Sequence, residues 1–228
     1  MSRVSTTSGP VDQAVERLRT VCAGAVETLS ASGAGVSVLV QGGQYSLLTG
    51  ADAASERLEE MQFVLGEGPC VDATATGRPV LVSDLEHEAP GRWPLYAPAM
   101  REAGIRAIFA FPLQVGAARL GALDVFRVRP GPLSRAELIR AFQCTDEAVS
   151  ILLALQSPAT IPEPFPRDEA GADLVELFQA QGMVMVQLDG TLSEAMARIR
   201  AYAYAENQRL IDVVRDIVER RLRFAKDE

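Results

Sequence analysis

Near the C-terminus, hydrophobic residues recur every three or four positions, the spacing that places them on one face of an α-helix. This spacing predicts three helices: one over 173–188, one that follows Thr191, and one that follows Asn207 and keeps its helical spacing to Leu222. Thr191 and Glu194 form a capping-box pair, in which each side chain accepts a hydrogen bond from the backbone N–H of the other residue. We therefore predict an all-α, three-helix domain over residues 168–228.

Earlier in the chain, helical spacing alternates with stretches in which every second residue is apolar, the period of a β-strand. Helices are predicted over 10–32, 55–64, 70–75, a segment between Pro94 and Ala103, and 134–156, and strands over 35–40, 45–48, 79–83, 105–115 and 119–128. Pro112 lacks a backbone N–H, so we expect its strand to be an edge strand or to carry a bulge. The pattern predicts an α+β domain over residues 11–156, an antiparallel sheet with flanking helices.

A proline-rich stretch separates the two predicted domains. Residues 157–167 contain four prolines in eleven positions. Such a composition favours a stiff, extended chain and is typical of a domain boundary. We predict a semi-rigid linker at 157–167 and a flexible N-terminus at 1–10.

The composition is that of a packed protein. The chain has 228 residues, of which 48% are apolar, and this suits two globular domains better than a disordered chain. No stretch has the apolar length of a signal peptide or a membrane span. Cys22, Cys70 and Cys144 are widely spaced and form no CxxC pair, which fits a reducing compartment. We expect a cytoplasmic protein with no membrane partner.

Charge is distributed unevenly along the predicted C-terminal domain. Residues 193–226 hold eight Arg and Lys against five Asp and Glu, whereas residues 168–189 hold five acidic residues and no basic one. Because the whole chain carries a formal charge of -8, any binding to nucleic acid must come from a local basic surface. Arg198 and Tyr202, one helical turn apart, supply a phosphate or base-edge donor beside a stacking ring, as recognition of an unpaired base requires. The alternative for each arginine alone is a solvated helix face.

The segments AQGMVMVQL and TLSEAMARIRAYAYAENQRLIDVVRDIV resemble the ANTAR domain of bacterial antitermination regulators, over about residues 168–224. The sequence departs from the family at Gln181, where many members have lysine, and it matches the family pattern at Gly182, Met185, Ala195, Arg200, Tyr202, Ala203, Arg209 and Leu210. The resemblance implies binding to RNA hairpins near transcription terminators. Together with the charge pattern, it gives the predicted RNA-binding residues Arg198, Arg200, Tyr202, Arg209 and Arg220.

The first of the three C-terminal helices is apolar on two faces, so it needs two packing partners. One partner is its own bundle, and we expect the other to be the same helix of a second chain. Gln181 is the single polar position at this seam and would fix its register. The predicted seam of the homodimer comprises Leu174, Leu177, Gln181 and Val184.

The stretches LGEGPC, PVLVSDL, RWPLYAPAM and FPLQVGAARLGALDVFR resemble a GAF domain, in particular the type found ahead of ANTAR domains, over about residues 11–156. A GAF fold implies a pocket for a small-molecule ligand between the sheet and its helices, or a role in dimerisation. The candidate ligand-binding residues are Phe63, Cys70, Trp93, Tyr96, Phe109 and Phe111. The alternative is that these side chains are simply core.

Cys70 lies at a predicted helix N-terminus, where the pKa of a thiol is expected to fall. Some GAF proteins reduce free methionine sulfoxide through cysteines, so a Cys-dependent methionine sulfoxide reductase is one alternative function. That chemistry needs a resolving thiol, and neither Cys22 nor Cys144 is near in sequence. His87, the single histidine, cannot by itself supply a metal site. We expect no catalytic residue, no metal and no cofactor.

Together these observations predict a signal-responsive transcription antitermination regulator that is not an enzyme. Its GAF domain would sense and dimerise, and its ANTAR domain would bind RNA stem-loops in transcript leaders. The alternative from another class is a GAF small-molecule or redox sensor that acts through protein-protein contacts.

Overall fold

The structure is a computed structural model that describes residues 9–40, 44–89, 91–155, 169–206 and 208–225. The chain divides into two compact units. The first comprises Met1–Gln62 and Glu67–Pro164, and the second comprises Phe165–Glu228 with Phe63–Gly66. The predicted linker at 157–167 and most of the predicted flexible N-terminus at 1–10 lie outside the described residues, so both stay predictions.

The first unit is an α+β fold whose elements follow the predicted order. Its helices are α1 (Pro10–Thr28), α2 (Ala53–Leu65), α3 (Pro69–Thr76), α4 (Leu85–Glu88), α5 (Tyr96–Glu102) and α6 (Arg135–Leu155), and its strands are β1 (Gly33–Val40), β2 (Gln44–Gly50), β3 (Val80–Val82), β4 (Ala107–Val115) and β5 (Ala118–Arg127). Only the single turn of α4 is not among the predicted elements. Asp84 caps it by accepting hydrogen bonds from the backbone N–H groups of Glu86 and His87.

The five strands form one antiparallel sheet in the order β2-β1-β5-β4-β3. The prediction of an edge position for the strand of Pro112 is wrong, because β4 lies between β5 and β3. The last pair with β3 joins Val80 to Ala110, so Pro112 lies beyond the end of β3 and needs no partner there. The alternative prediction, a bulge, is confirmed by a register shift between Leu113 and Gln114.

Helices cover both faces of this sheet. On one face, α1 and α6 pack on the apolar side chains of the central strands; this cluster includes Leu18, Ala34, Val36, Phe109, Phe111, Leu123, Val125, Ala148 and Ile151. The alternate residues of β1 and β5 point the other way. Among them, Ser37 and Asp124 are buried polar residues that contact α2 through hydrogen bonds. The face of the sheet that α2 and α3 cover therefore carries buried polar side chains.

The second unit is a bundle of three helices, α7 (Glu169–Leu188), α8 (Leu192–Ala205) and α9 (Leu210–Val218). The predicted capping box at the start of α8 is confirmed. Thr191 Oγ1 accepts a hydrogen bond from the N–H of Glu194 at 3.2 Å, and Glu194 Oε2 accepts one from the N–H of Thr191 at 2.6 Å. The core of the bundle includes Leu177, Ala180, Val184, Met196, Ile199, Val213, Val214 and Ile217. No helix in the described residues is both long enough and apolar enough to cross a bilayer.

The chain after α9 departs from the predicted continuous helix. Arg220 has a φ of 62°, in the left-handed region where a helix cannot continue. Residues 219–225, here named the return segment, then run back to the other two helices. Phe224 donates its backbone N–H to Gln187 Oε1 at 2.8 Å and packs edge to face against Tyr202, with ring centroids 5.5 Å apart.

Candidate functional site

Two carboxyl groups and a thiol meet under α2 and α3 in the first unit. A carboxylate oxygen of Glu59, a carboxylate oxygen of Asp124 and the Sγ atom of Cys70 all lie within 4.8 Å of one another. The exposed fraction of each of these residues is 2% or less. We name these three residues the acid-thiol cluster.

The absence of a side chain at Gly35 makes room for the cluster. Gly35 on β1 lies opposite Asp124 on β5, and a Cβ atom at Gly35 would lie 2.4 Å from Cγ of Glu59. Any side chain at this position would therefore displace Glu59. The bare backbone of Gly35 lets α2 place the Glu59 carboxyl above Asp124.

Gln62, one turn after Glu59 on α2, connects all three members of the cluster. Its Nε2 donates to Asp124 Oδ2 at 2.6 Å and to Glu59 Oε2 at 3.4 Å, and its Oε1 accepts from the backbone N–H of Cys70 at 2.8 Å. Ser37 Oγ donates to Glu59 Oε2 at 2.8 Å. The amide therefore fixes both carboxyls and the start of α3 in one arrangement.

Burial and repulsion between nearby negative charges both raise pKa values at the cluster. Burial raises the pKa of Glu59 well above its usual value, and the nearby Asp124 charge raises it further. Burial likewise raises the pKa of Asp124 to about 6. The pKa of Tyr96 is raised by burial and then by the charges of Asp124, Glu59 and Cys70. Burial therefore favours the neutral forms of Glu59 and Tyr96, whereas a pKa of about 6 leaves Asp124 mostly ionised at neutral pH.

Three buried oxygen atoms at this place have no hydrogen-bond partner among the described residues. They are Glu59 Oε1, Asp124 Oδ1 and the hydroxyl of Tyr96. Most buried polar atoms in proteins are hydrogen-bonded, because an unpaired one costs about 1–3 kcal/mol. The two carboxyl groups can share one proton, because a side-chain hydrogen bond between them raises the pKa of Glu59 and lowers that of Asp124. The buried hydroxyl of Tyr96 is then the atom that indicates a site completed by another species.

The predicted ligand-binding residues do not all come together. Cys70 belongs to the acid-thiol cluster, and Trp93 lies nearby, with its ring edge to face against Tyr96 at 6.2 Å. Phe109 and Phe111, in contrast, belong to the apolar cluster with α1 and α6, on the opposite side of β4. They therefore cannot line one pocket with Cys70. Phe63 is a half-buried residue near the end of α2.

Glu59, Gln62 and Asp124 are the functional candidates that the sequence does not reveal. Asp124 lies inside the apolar stretch GALDVF, where an acidic residue on a buried strand is the one available signal. Glu59 and Gln62 are one turn apart on a helix that also carries the charged residues Glu56, Arg57 and Glu60. Nothing local distinguishes them from solvated residues.

The expected activation of the Cys70 thiol is wrong. Burial raises its pKa well above the usual value, and the charges of Asp124 and Glu59 raise it further. The backbone N–H of Cys70, at the start of α3, already donates a hydrogen bond to Gln62. Cys22 is also buried, and burial raises its pKa to about 12. Neither thiol has the exposed, low-pKa character of a nucleophile.

This difference predicts an order of thiol reactivity in the native protein. Cys144 is half-buried, whereas Cys22 and Cys70 are buried. We expect a chelator-treated sample at neutral pH to react with a disulfide reagent such as dithionitrobenzoate at Cys144 first. Cys22 and Cys70 should react only after unfolding in urea, as judged by peptide mass spectrometry. Modification of Cys70 as fast as Cys144 would contradict the burial described here.

In the second unit, the predicted RNA-binding residues have different environments. Arg198, Arg200 and Tyr202 are half-buried on α8, and Arg209 is exposed at the start of α9. Arg198 and Arg209 each interact with other groups of the chain. Burial lowers the pKa of Arg200. Arg220 is exposed but lies in the return segment and not on the helix face where we expect it.

The predicted dimer seam lies mostly inside the bundle of a single chain. Leu177, Gln181 and Val184 are 5%, 2% and 0% exposed. Gln181 donates to the backbone carbonyl of Leu192 at 2.8 Å, so its amide already joins α7 to the start of α8. Leu174 lies on α7, and its side chain is outside what the structure describes. A partner chain that contacts α7 would use other positions of this helix.

Comparison with known proteins agrees with the first unit. A model of the GAF domain matches residues 14–143. GAF3 from Slr1393 of Synechocystis sp. PCC6803 superposes with a TM-score of 0.53 at 18% identity, covering 66% of this chain and 99% of that one. The GAF domain of a phosphoenolpyruvate-protein phosphotransferase from Coxiella burnetii gives 0.52 at 16%, covering 65% and 87%. A type II free methionine-R-sulfoxide reductase from Thermoplasma acidophilum gives 0.50 at 13%, covering 64% and 96%.

These matches define the class of protein. At such low identity the superpositions establish the fold alone, while the family match covers more than half of the chain. The chain belongs to the GAF domain family, whose members are mostly sensory and dimerisation modules. A search of curated proteins found no match, and no ANTAR domain or RNA-binding family was detected.

Proposed function

We propose that this chain is a signal-responsive regulator of transcription antitermination. In this proposal the GAF unit takes up a small ligand, and the three-helix unit binds RNA stem-loops in transcript leaders. The protein acts in the cytoplasm as a homodimer and is not an enzyme. The resemblance of residues 168–224 to the ANTAR domain supports this assignment.

The observation that carries the proposal is the course of the return segment. Tyr202 lies one helical turn after Arg198 on α8, and Phe224 packs against the Tyr202 ring. Arg223, the chain neighbour of Phe224, is therefore brought towards Tyr202. Guanidinium groups beside an aromatic ring suit a phosphate backbone next to an unpaired base.

Two other arginines of the unit take part in ion pairs. Arg215 pairs with Glu176 at 3.3 Å, and Arg221 pairs with Asp216 and Glu219. Neither Arg215 nor Arg221 is among the predicted RNA contacts. Because the whole chain is acidic, the RNA affinity should rest on a few phosphate contacts and should fall as salt is raised.

The two alternative functions receive less support. A thiol reductase needs a reactive cysteine, and burial with a raised pKa makes Cys70 a poor nucleophile. A sensor that acts only through protein contacts would need no basic surface on its output unit. If no RNA binds, a sensor of this kind is the function that we would propose instead.

The test is selection from a pool of RNA stem-loops with randomised loops, followed by gel mobility shifts. We expect the full chain to enrich stem-loops over fully paired duplexes. Arg198→Ala should weaken binding of the selected RNA by about tenfold, the low end of a lost specific contact. The matched control is Arg119→Ala, which removes one positive charge from an exposed site of the GAF unit.

Two results would count against the proposal. If the pool yields no enriched stem-loop at low salt, the output is not RNA. If Arg198→Ala and Arg119→Ala weaken binding equally, only bulk charge matters and the site assignment on α8 is wrong.

A further inference from the structure

The three side chains of the acid-thiol cluster are of types that bind metal ions. Two carboxylates and a thiolate are ligands that Zn²⁺ accepts, and three protein ligands leave a fourth position open. The combination of a soft sulfur with hard oxygens selects a borderline transition metal over Ca²⁺ or Mg²⁺, which prefer oxygen alone.

The spacing is close to what coordination requires. Bonds of about 2.3 Å to sulfur and about 2.0–2.2 Å to oxygen, at tetrahedral angles, place ligand atoms about 3.5 Å apart. The three ligand atoms of the cluster all lie within 4.8 Å of one another. A shift of about 1 Å in side chains that are already oriented inward therefore closes the site around an ion.

A separate observation points to a bound species. The Tyr96 side chain is fully buried, and its hydroxyl has no hydrogen-bond partner among the described residues. Its nearness to the cluster is shown by the charges of Asp124, Glu59 and Cys70, which all act on this hydroxyl. Glu59 and Asp124 also hydrogen-bond to each other, so the Tyr96 hydroxyl is the polar group that still needs a partner. An ion bound by the cluster, with water in its open position, would give the Tyr96 hydroxyl a hydrogen-bond partner.

We propose that Glu59, Cys70 and Asp124 bind one divalent transition metal ion of the zinc type, with Tyr96 hydrogen-bonded to the water on its fourth position. Gln62 and Ser37 hold the carboxyls in place through the bonds to Glu59 and Asp124. Binding transfers the thiol proton, and any carboxyl proton, to solvent. The inference concerns the GAF unit and does not depend on RNA binding by the other unit.

Cobalt provides the direct test, because Co²⁺ occupies zinc-type sites and shows a thiolate-to-metal charge-transfer band in the near ultraviolet. Full-length, chelator-treated protein is incubated with Co²⁺ and then with competing Zn²⁺. We expect one Co²⁺ per chain, a thiolate band that saturates at that ratio, and loss of the band when Zn²⁺ is added. Cys70→Ser should abolish the band, whereas Cys144→Ser should keep it.

Glu59→Gln tests the site without removing the sulfur. The amide keeps the size of the side chain but loses its charge, so we expect the thiolate band to remain and the Co²⁺ dissociation constant to rise at least about tenfold. Trp93 fluorescence reports whether each variant is folded. The proposal is overturned if folded wild-type protein shows no thiolate band, if the band survives Cys70→Ser, or if Glu59→Gln binds Co²⁺ as tightly as the wild type.

Discussion

Gly121→Ala is expected to destabilise the GAF unit by about 3 kcal/mol or more, which is a large part of the stability of a typical domain. Gly121 lies on β5 beside β1, and a Cβ atom there would lie 1.9 Å from the carbonyl oxygen of Ser37 and 2.8 Å from Cα of Val38. Both neighbours are backbone atoms inside the sheet. They cannot move aside without breaking the pairing of β1 with β5.

Urea unfolding followed by the fluorescence of Trp93 measures this effect. Trp93 is the single tryptophan of the chain and is 2% exposed in the GAF unit, so its emission reports this unit alone. The control is Gly24→Ala on α1, where a Cβ atom meets nothing within 4 Å. That change should stabilise by about 0.5–1 kcal/mol. Equal unfolding midpoints for the two variants would contradict the close approach of β1 and β5.

Ile199→Ala is expected to unfold the three-helix unit, or to lower its stability by about 2–5 kcal/mol. Ile199 is fully buried on α8 among residues of α7 and α9. A bundle this small has little stability to lose, because small domains bury a smaller share of their surface. We also expect the variant to lose RNA binding, since the arginines of α8 would no longer be held in place.

Far-ultraviolet circular dichroism measures helix loss, and Trp93 fluorescence serves as an internal reference from the other unit. The matched control is Leu192→Ala on the same helix. Leu192 is 50% exposed, so its truncation should cost less than about 1 kcal/mol. If Ile199→Ala unfolds no earlier than Leu192→Ala, the core assigned to the bundle is wrong.

Local patterns predict most of the fold. The capping box of Thr191 and Glu194 involves only four consecutive residues, so the sequence alone predicts the start of α8. The strands follow from apolar alternation and glycine-rich turns in the same way. The turn at Arg220 is harder, because neither glycine nor proline marks it and an arginine rarely adopts a positive φ.

The candidate site depends on contacts between distant residues, and this explains why the sequence does not reveal it. Both faces of the central strands are buried, so alternation along β4 cannot tell which side faces a pocket and which packs against helices. For this reason Phe109 and Phe111 are predicted ligand residues but belong to the α1 and α6 face. The meeting of Glu59 with Asp124 depends on Gly35, which lies far from both in sequence.

The most direct test of the proposed function is ultraviolet crosslinking of the full-length protein to RNA in cells, followed by sequencing of the bound RNA. The proposed function predicts that the recovered segments fold as stem-loops in transcript leaders, that crosslinks fall in the loops, and that Arg198→Ala recovers far less RNA. Recovery from wild-type protein that is no greater than from an uncrosslinked sample would contradict it.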